Sequence, residues 1–191
     1  AQAFRRLGSE VTIIQRRPQL LPREDRNAAN IVSEVFRRED VKVIFEASPM
    51  KVAWKDDGKH ITLDVSGEQQ ELVVDEILVG VGRVPNVEDL NLEAADVKYD
   101  QREGVRVNDF LRTSNPNIYA AGDICLEHKF THVADASARI ALQNALFWGR
   151  KRYSDLAVPW CTYTDPEIAH AGMYESDARE AGIDVDTYTV R

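Results

Sequence analysis

Asp123 follows the run Ile118-Tyr119-Ala120-Ala121-Gly122, so one carboxylate stands where side-chain bulk has dwindled to nothing. Glycine lets the backbone approach a ligand closely, and an ionised carboxylate beside it is an acceptor for ligand hydroxyls. Pro116 supplies a turn, and Ile118 and Tyr119 favour β structure. The pattern therefore predicts a short buried strand with Gly122 and Asp123 at its carboxyl end, where open α/β sheets bind ligands. A second marked stretch is Gln15-Arg16-Arg17, two permanent cations behind the apolar run Val11 to Ile14. A third, Gly80-Val81-Gly82-Arg83-Val84-Pro85-Asn86, is a glycine-rich loop that ends in a turn signal. His128 and His132 would bind a metal only if one helical face carried both and a third ligand joined them. Cys125 and Cys161 fit no close-spaced metal or redox motif.

These groups need elements to hold them. Ala1 to Leu7 favours helix, Gly8 is a natural cap, and Val11 to Ile14 reads as a buried strand, which together look like the second half of a βαβ unit. Pro22, Glu24 and Asp25 open a second helix, with Ala28, Ile31, Val32, Val35 and Phe36 on one face and an end near Arg38. The strand Val41 to Phe45 follows. Extended segments around Val52 to Trp54, Ile61 to Val65 and Leu72 to Val74, joined at Asp57-Gly58 and Ser66-Gly67, predict a small antiparallel meander. Ile77 to Val79 reads as a strand leading into the glycine-rich loop. Thr131 to Trp148 is a third helix, with Val133, Ala136, Ile140 and Phe147 on its apolar stripe. Trp160 to Tyr163 is strand-like, Glu175 to Ala181 a short helix capped by Gly182, and Val185 to Val190 a last strand. Arg37-Arg38 and Arg150-Lys151-Arg152 read as solvated helix ends, and His60 and His170 as ordinary surface or partly buried side chains.

Composition narrows the partners. The chain has 191 residues, 43% hydrophobic and 29% charged, with a formal charge of −8 and a pI near 5.1. That charge argues against nucleic acid or an anionic membrane surface, so an anionic ligand needs a local basic cluster. No apolar run approaches the roughly 18 to 20 residues of a membrane helix, and the start shows no signal-peptide anatomy, which makes the cytoplasm the expected compartment.

Three stretches in order, GVGRVPN (Gly80 to Asn86), TSNPNIYAAGDI (Thr113 to Ile124) and WCTYTDPEIAHAG (Trp160 to Gly172), resemble the flavoprotein pyridine nucleotide-disulfide oxidoreductases. The phrase TYTDPEIA is similar to the mercuric reductase and dihydrolipoamide dehydrogenase branch. The resemblance implies an α/β fold. Residues 1–82 would be part of a Rossmann-like NAD(P)-binding domain that includes the meander, 83–156 the returning part of an FAD-binding domain, and 157–191 the start of an α+β dimerisation domain. It implies FAD held by Gly122 and Asp123, with the helix start at Thr131, His132, Val133 and Ala134 aimed at the flavin pyrimidine edge. Gly80 and Gly82 would line the groove near the two cofactors. Gln15, Arg16 and Arg17 would read the adenosine phosphate of NADP, with NAD the poorer fit because no acid stands there for the ribose hydroxyls.

The implied activity passes electrons from NADPH through flavin to a disulfide, thiol or metal substrate, in a parent that forms homodimers and acts on a small molecule. The Rossmann glycines, the redox cysteine pair and the C-terminal His-Glu base of such enzymes are expected outside these 191 residues, so the segment alone is expected to be inactive, with no catalytic residue of its own. Cys125 and Cys161 then read as buried free thiols. A non-catalytic flavin- or nucleotide-binding scaffold, or a transhydrogenase without redox cysteines, is the rival reading.

Overall fold

The computed structural model describes residues 1–190 and shows a mixed α/β chain. Helix α1 (Gln2–Arg6) ends in Gly8 at φ 102° and leads to β1 (Thr12–Ile14). After a loop, α2 (Arg26–Arg38) returns to β2 (Lys42–Ile44), and the two strands pair in parallel, Ile13 opposite Val43. A parallel pair with a helical crossover is a βαβ unit, and it lies downstream of the half-unit expected at Ala1 to Ile14. Asp25 starts α2 by accepting hydrogen bonds from the amides of Asn27 (2.8 Å) and Ala28 (3.4 Å). Its buried face is Ala29, Val32 and Phe36, while Ile31, expected on that face, is exposed. The buried stripe runs through Ala29, Val32 and Phe36, with Ala28 and Val35 half-buried at its edges. Val32 and Phe36 pack with Leu20 and Val41, and β1 and β2 contribute Ile13 and Val43 to the same core.

Strands β3 (Ala47–Lys55), β4 (Gly58–Val65) and β5 (Glu68–Val74) form the antiparallel meander, in that spatial order. The expected segments lie inside them, with Ile61 and Leu63 buried on β4. Short strands β6 (Tyr99–Asp100) and β7 (Gly104–Val105) pair antiparallel. They lie between two 3-10 turns, Leu92–Ala95 and Gly122–Ile124. Helix α3 spans Thr131–Leu146, β8 (Pro159–Thr162) and β9 (Ile168–Ala171) pair as a further two-stranded sheet, and α4 covers Glu175–Glu180.

Several expected elements differ. Ile77 to Val79 and Val185 to Val190 carry no strand, and Leu78 and Val79 are 75% and 72% exposed. Extended chain becomes a strand only when a neighbour completes its hydrogen bonds, and among the described residues neither segment has one. Ile118 to Ala121 is likewise not a regular strand. It makes one isolated bridge, Tyr119 with Arg112, flanked by the amides of Thr113 and Ala120 donating to Ile118 and Leu111 carbonyls. Helix α3 stops two residues short of Trp148, leaving Phe147 and Trp148 exposed. Its buried stripe is Val133, Ser137, Ile140, Ala141 and Asn144. The i, i+4, i+7 rule holds, but two buried positions are polar and hydrogen-bonded. Asn144 donates to the carbonyls of Phe110 (3.0 Å) and Lys151 (2.8 Å) and accepts from the Lys151 amide (3.0 Å).

The chain divides into two compact units. One holds Ala1–Val79, Cys161–Ala169 and the residues from Met173 on; the other holds Gly80–Trp160 and His170–Gly172.

Candidate cofactor site

Within the second unit, the turn Gly122–Ile124 is fixed to α3 through backbone and a small side chain. The Gly122 amide donates to Ser137 Oγ (3.0 Å), and the Ser137 hydroxyl donates to the Ala134 carbonyl (3.0 Å), all next to the buried Val133. Gly122 has φ 76°, and a Cβ there would meet Ala134 Cβ at 3.2 Å. The positive φ favours glycine, and a Cβ would need Ala134 to give by a few tenths of an ångström. The turn is also braced from β7. A Cβ on Gly104, itself at φ 94°, would lie 2.0 Å from the Ile124 carbonyl oxygen. Leu111, Leu126, Val133, Ile140 and Ala141 form the core beneath.

Asp123 projects from this turn with 47% of its side chain exposed. One oxygen, Oδ2, accepts from Arg83 Nη1 at 3.1 Å, and Arg83 Nη2 donates to the Lys129 carbonyl. The guanidinium thus ties the glycine-rich loop, the Asp123 turn and the segment before α3 together. At the start of α3, Phe130 is the N-cap and gives no side-chain hydrogen bond, and the first helical amide bond runs from Ala134 to Phe130. The amides of Thr131, His132 and Val133 precede it, and the first turn has no acidic side chain. Such an end is favourable for an electron-rich acceptor. The His132 ring stacks on Phe130 and its Nε2 lies 2.8 Å from the Pro159 carbonyl, so that nitrogen carries the proton.

Gly80 and Gly82 are exposed, Gly82 at φ 104°, with open space where a Cβ would stand. Gln15, Arg16 and Arg17 belong to the first unit. Gln15 is held by its backbone, donating to the Ile44 carbonyl (2.9 Å) and accepting from the Ala47 amide (3.1 Å), and its Oε1 accepts from the Arg17 amide at 3.1 Å. Arg16 and Arg17 are exposed, and neither makes an ion pair among the described residues. The structure brings Gly122, Asp123 and the start of α3 together within the second unit, and Gln15 to Arg17 lie in the first.

Sequence reasoning missed Arg83, Gly104 and Ser137 as positioning groups. Arg83 stands inside the GVGRVPN stretch, and a Gly after Asp100-Gln101-Arg102-Glu103 is a turn signal, but nothing local marks Ser137. Cys125 and Cys161 are both free. Burial pushes the Cys125 thiol up to about 11, and Cys161 is also raised, burial first among the causes, so neither is an activated thiolate. His128 stacks against Trp160, and among the described residues no group of three or more His, Cys, Asp or Glu side chains could hold a metal.

Residues 1–139 match the family model described as pyridine nucleotide-disulphide oxidoreductase, and residues 158–191 match its dimerisation domain. The chain belongs to the pyridine nucleotide-disulphide oxidoreductases. It is 40% identical over 186 residues to a dihydrolipoyl dehydrogenase of Thermus scotoductus, covering 96% of this chain and 40% of that one. It is 37% identical to a mercuric reductase of Staphylococcus aureus, covering 97% of this chain and 34% of that one. The HOCl-induced flavoprotein disulfide reductase RclA from Escherichia coli, solved as a Cu(II) complex, superposes with a TM-score of 0.82 at 30% identity, over 95% of this chain and 41% of that one. The chain therefore spans about two fifths or less of the length of these relatives. No helix among the described residues is long and apolar enough to cross a membrane.

Proposed function

We propose that this chain is part of an FAD enzyme that takes reducing equivalents from NADPH in preference to NADH and passes two electrons to a disulfide, a thiol or a metal-ion substrate, in the manner of a mercuric reductase. The observation that carries it is the clamped turn at Gly122 beside the uncapped start of α3, with Asp123 half exposed between them. These groups fit a flavin dinucleotide. A ligand with several hydroxyls and an electron-rich ring edge suits a carboxylate acceptor and three free-ended amides.

When bound, FAD supplies a two-electron acceptor for hydride from the nicotinamide. The residues of this chain would do the holding. Asp123 would accept from a ribityl hydroxyl through Oδ1, since Arg83 already engages Oδ2. Gly122 would admit the cofactor to the backbone, and the amides of Thr131, His132 and Val133, with Ala134 closing the turn, would favour electron density on the pyrimidine edge. Gly80 and Gly82 would line the same groove without side chains to obstruct it. Arg16 and Arg17, exposed and without an ion pair among the described residues, would take the 2′-phosphate of NADPH, while Gln15 spares it the repulsion an acid would bring. Residues 1–82 would serve the NAD(P)-binding domain, 83–156 the FAD-binding domain and 157–191 the dimerisation domain of a cytoplasmic homodimer.

The test is flavin content. Asp123→Ala in the full-length protein removes a charge-assisted acceptor worth about 1.5–3 kcal/mol, which lowers flavin retention roughly ten- to a hundredfold when compared at matched thermal stability. Equal occupancy in variant and wild type would defeat the assignment of Asp123 to FAD.

A further inference from the structure

Outside the candidate cofactor site, the meander carries one buried histidine with both ring nitrogens engaged. His60, on the central strand β4, is 8% exposed. Its Nε2 lies 2.8 Å from Asp57 Oδ1 in the β3–β4 turn, and its Nδ1 lies 2.8 Å from Glu71 Oε1 on β5. Lys55 Nζ, at the end of β3, is 3.0 Å from the same Nδ1 and 3.4 Å from Glu71 Oε1. The cross-strand neighbours of His60, Ala53 and Val73, are apolar, so Lys55, Asp57 and Glu71 are the charged groups that face the ring.

Only one form of the ring can meet both carboxylates at once. A carboxylate oxygen only accepts, so contact with Asp57 and Glu71 together requires both ring nitrogens to donate, which only imidazolium can do. Neutral imidazole has one lone pair. If it falls on Nδ1 it repels Glu71, but the Lys55 ammonium already stands within reach to donate to it. Each protonation state thus has its own complete set of partners.

We propose that His60 is a protonation switch for the edge strand β5. As imidazolium it holds Glu71 through Nδ1–H and Asp57 through Nε2–H, pinning β5 and the β3–β4 turn to β4. When Nδ1 gives its proton to solvent, Nε2–H stays on Asp57, Lys55 turns one N–H onto Nδ1, and Glu71 loses its ring contact and keeps only the longer one to Lys55 Nζ (3.4 Å). The hydrogen bonds to Asp57 and then Glu71 hold the His60 pKa above its ordinary value, and the ring in turn lowers both carboxylates. Because the folded value is the raised one, this stabilisation is fully present below the ordinary histidine pKa of about 6.5 and is lost as pH rises through the folded value.

The experiment is a pH titration of the full chain by imidazole nitrogen NMR, with amide exchange of β5 measured alongside and corrected for the intrinsic pH dependence of exchange. His60 is expected to titrate above about 6.5, to become the Nε2–H tautomer, and to lose protection at Glu71, Leu72 and Val73 as it does so. Glu71→Gln lowers its pKa and flattens the pH dependence of β5 protection; Lys55→Met raises its pKa. Both side chains are about half exposed, so the sheet tolerates the changes. A wild-type pKa at or below about 6.5, a neutral Nδ1–H tautomer, or β5 protection constant through the titration would each overturn the switch, whether or not the variants fold.

Discussion

Around Gly122 the chain is closed upon itself, whereas at Gln15 to Arg17 it is open. The Gly122 turn is fixed by Ser137 from one side and by the bare Cα of Gly104 from the other, and its one charge, Asp123, is held by Arg83. Gln15 is fixed by its backbone, but the two arginines after it are exposed and make no ion pair among the described residues. In the first region position is set by packing before any ligand arrives. In the second, only the loop is positioned, and the charges are left to be ordered by what they bind. A substitution in the first should therefore be felt in folding as well as in binding, and one in the second in binding alone.

Gly104→Ala is the severest way to break this contrast. Its Cβ would meet a backbone oxygen at 2.0 Å with φ 94°, and no side-chain rotation relieves that. Overpacking and left-handed strain together cost about 2–5 kcal/mol, so the melting temperature should fall sharply and flavin content with it. A variant as stable as wild type would mean that β7 does not brace the Ile124 turn.

Ser137→Ala should act more mildly in the same direction. It leaves the buried Gly122 amide without its acceptor, at about 1–3 kcal/mol, and the check is denaturant unfolding alongside flavin content. Rescue by Ser137→Thr, which keeps the hydroxyl, separates the hydrogen bond from mere helix packing.

Arg16→Ala should leave stability within about 0.5 kcal/mol, as exposed substitutions usually do. Its effect belongs to the ratio of kcat/KM for NADPH over NADH in the full-length protein, which should drop roughly tenfold or more for the loss of one phosphate contact of about 1.5–3 kcal/mol. An unchanged ratio would remove Arg16 from phosphate reading and with it one side of the comparison.

Much of this was legible in the chain. The opening helix and strand, the second helix with the strand after it, the meander with its Asp57-Gly58 and Ser66-Gly67 turns, and helix α3 follow from periodicity and turn chemistry, which act over a few neighbouring residues. The motif residues Gly122 and Asp123 could be named because glycine and a lone acid announce themselves by type. What local pattern could not supply was pairing. Ile77 to Val79 and Val185 to Val190 have the composition of strands, yet among the described residues they have no neighbour to complete a ladder, and Ile118 to Ala121 keeps a single bridge. Nor could it foresee that Ser137 and Asn144 would be buried, since a polar side chain enters a core only where distant backbone groups satisfy it. The sequence by itself determined which residues carry charge, freedom or β preference, because those are properties of single side chains and their near neighbours. Only the tertiary structure decided that Arg83 meets Asp123, that Gly104 must remain bare for Ile124, and that His60 lies between two carboxylates, because each depends on groups brought together by folding across long stretches of chain.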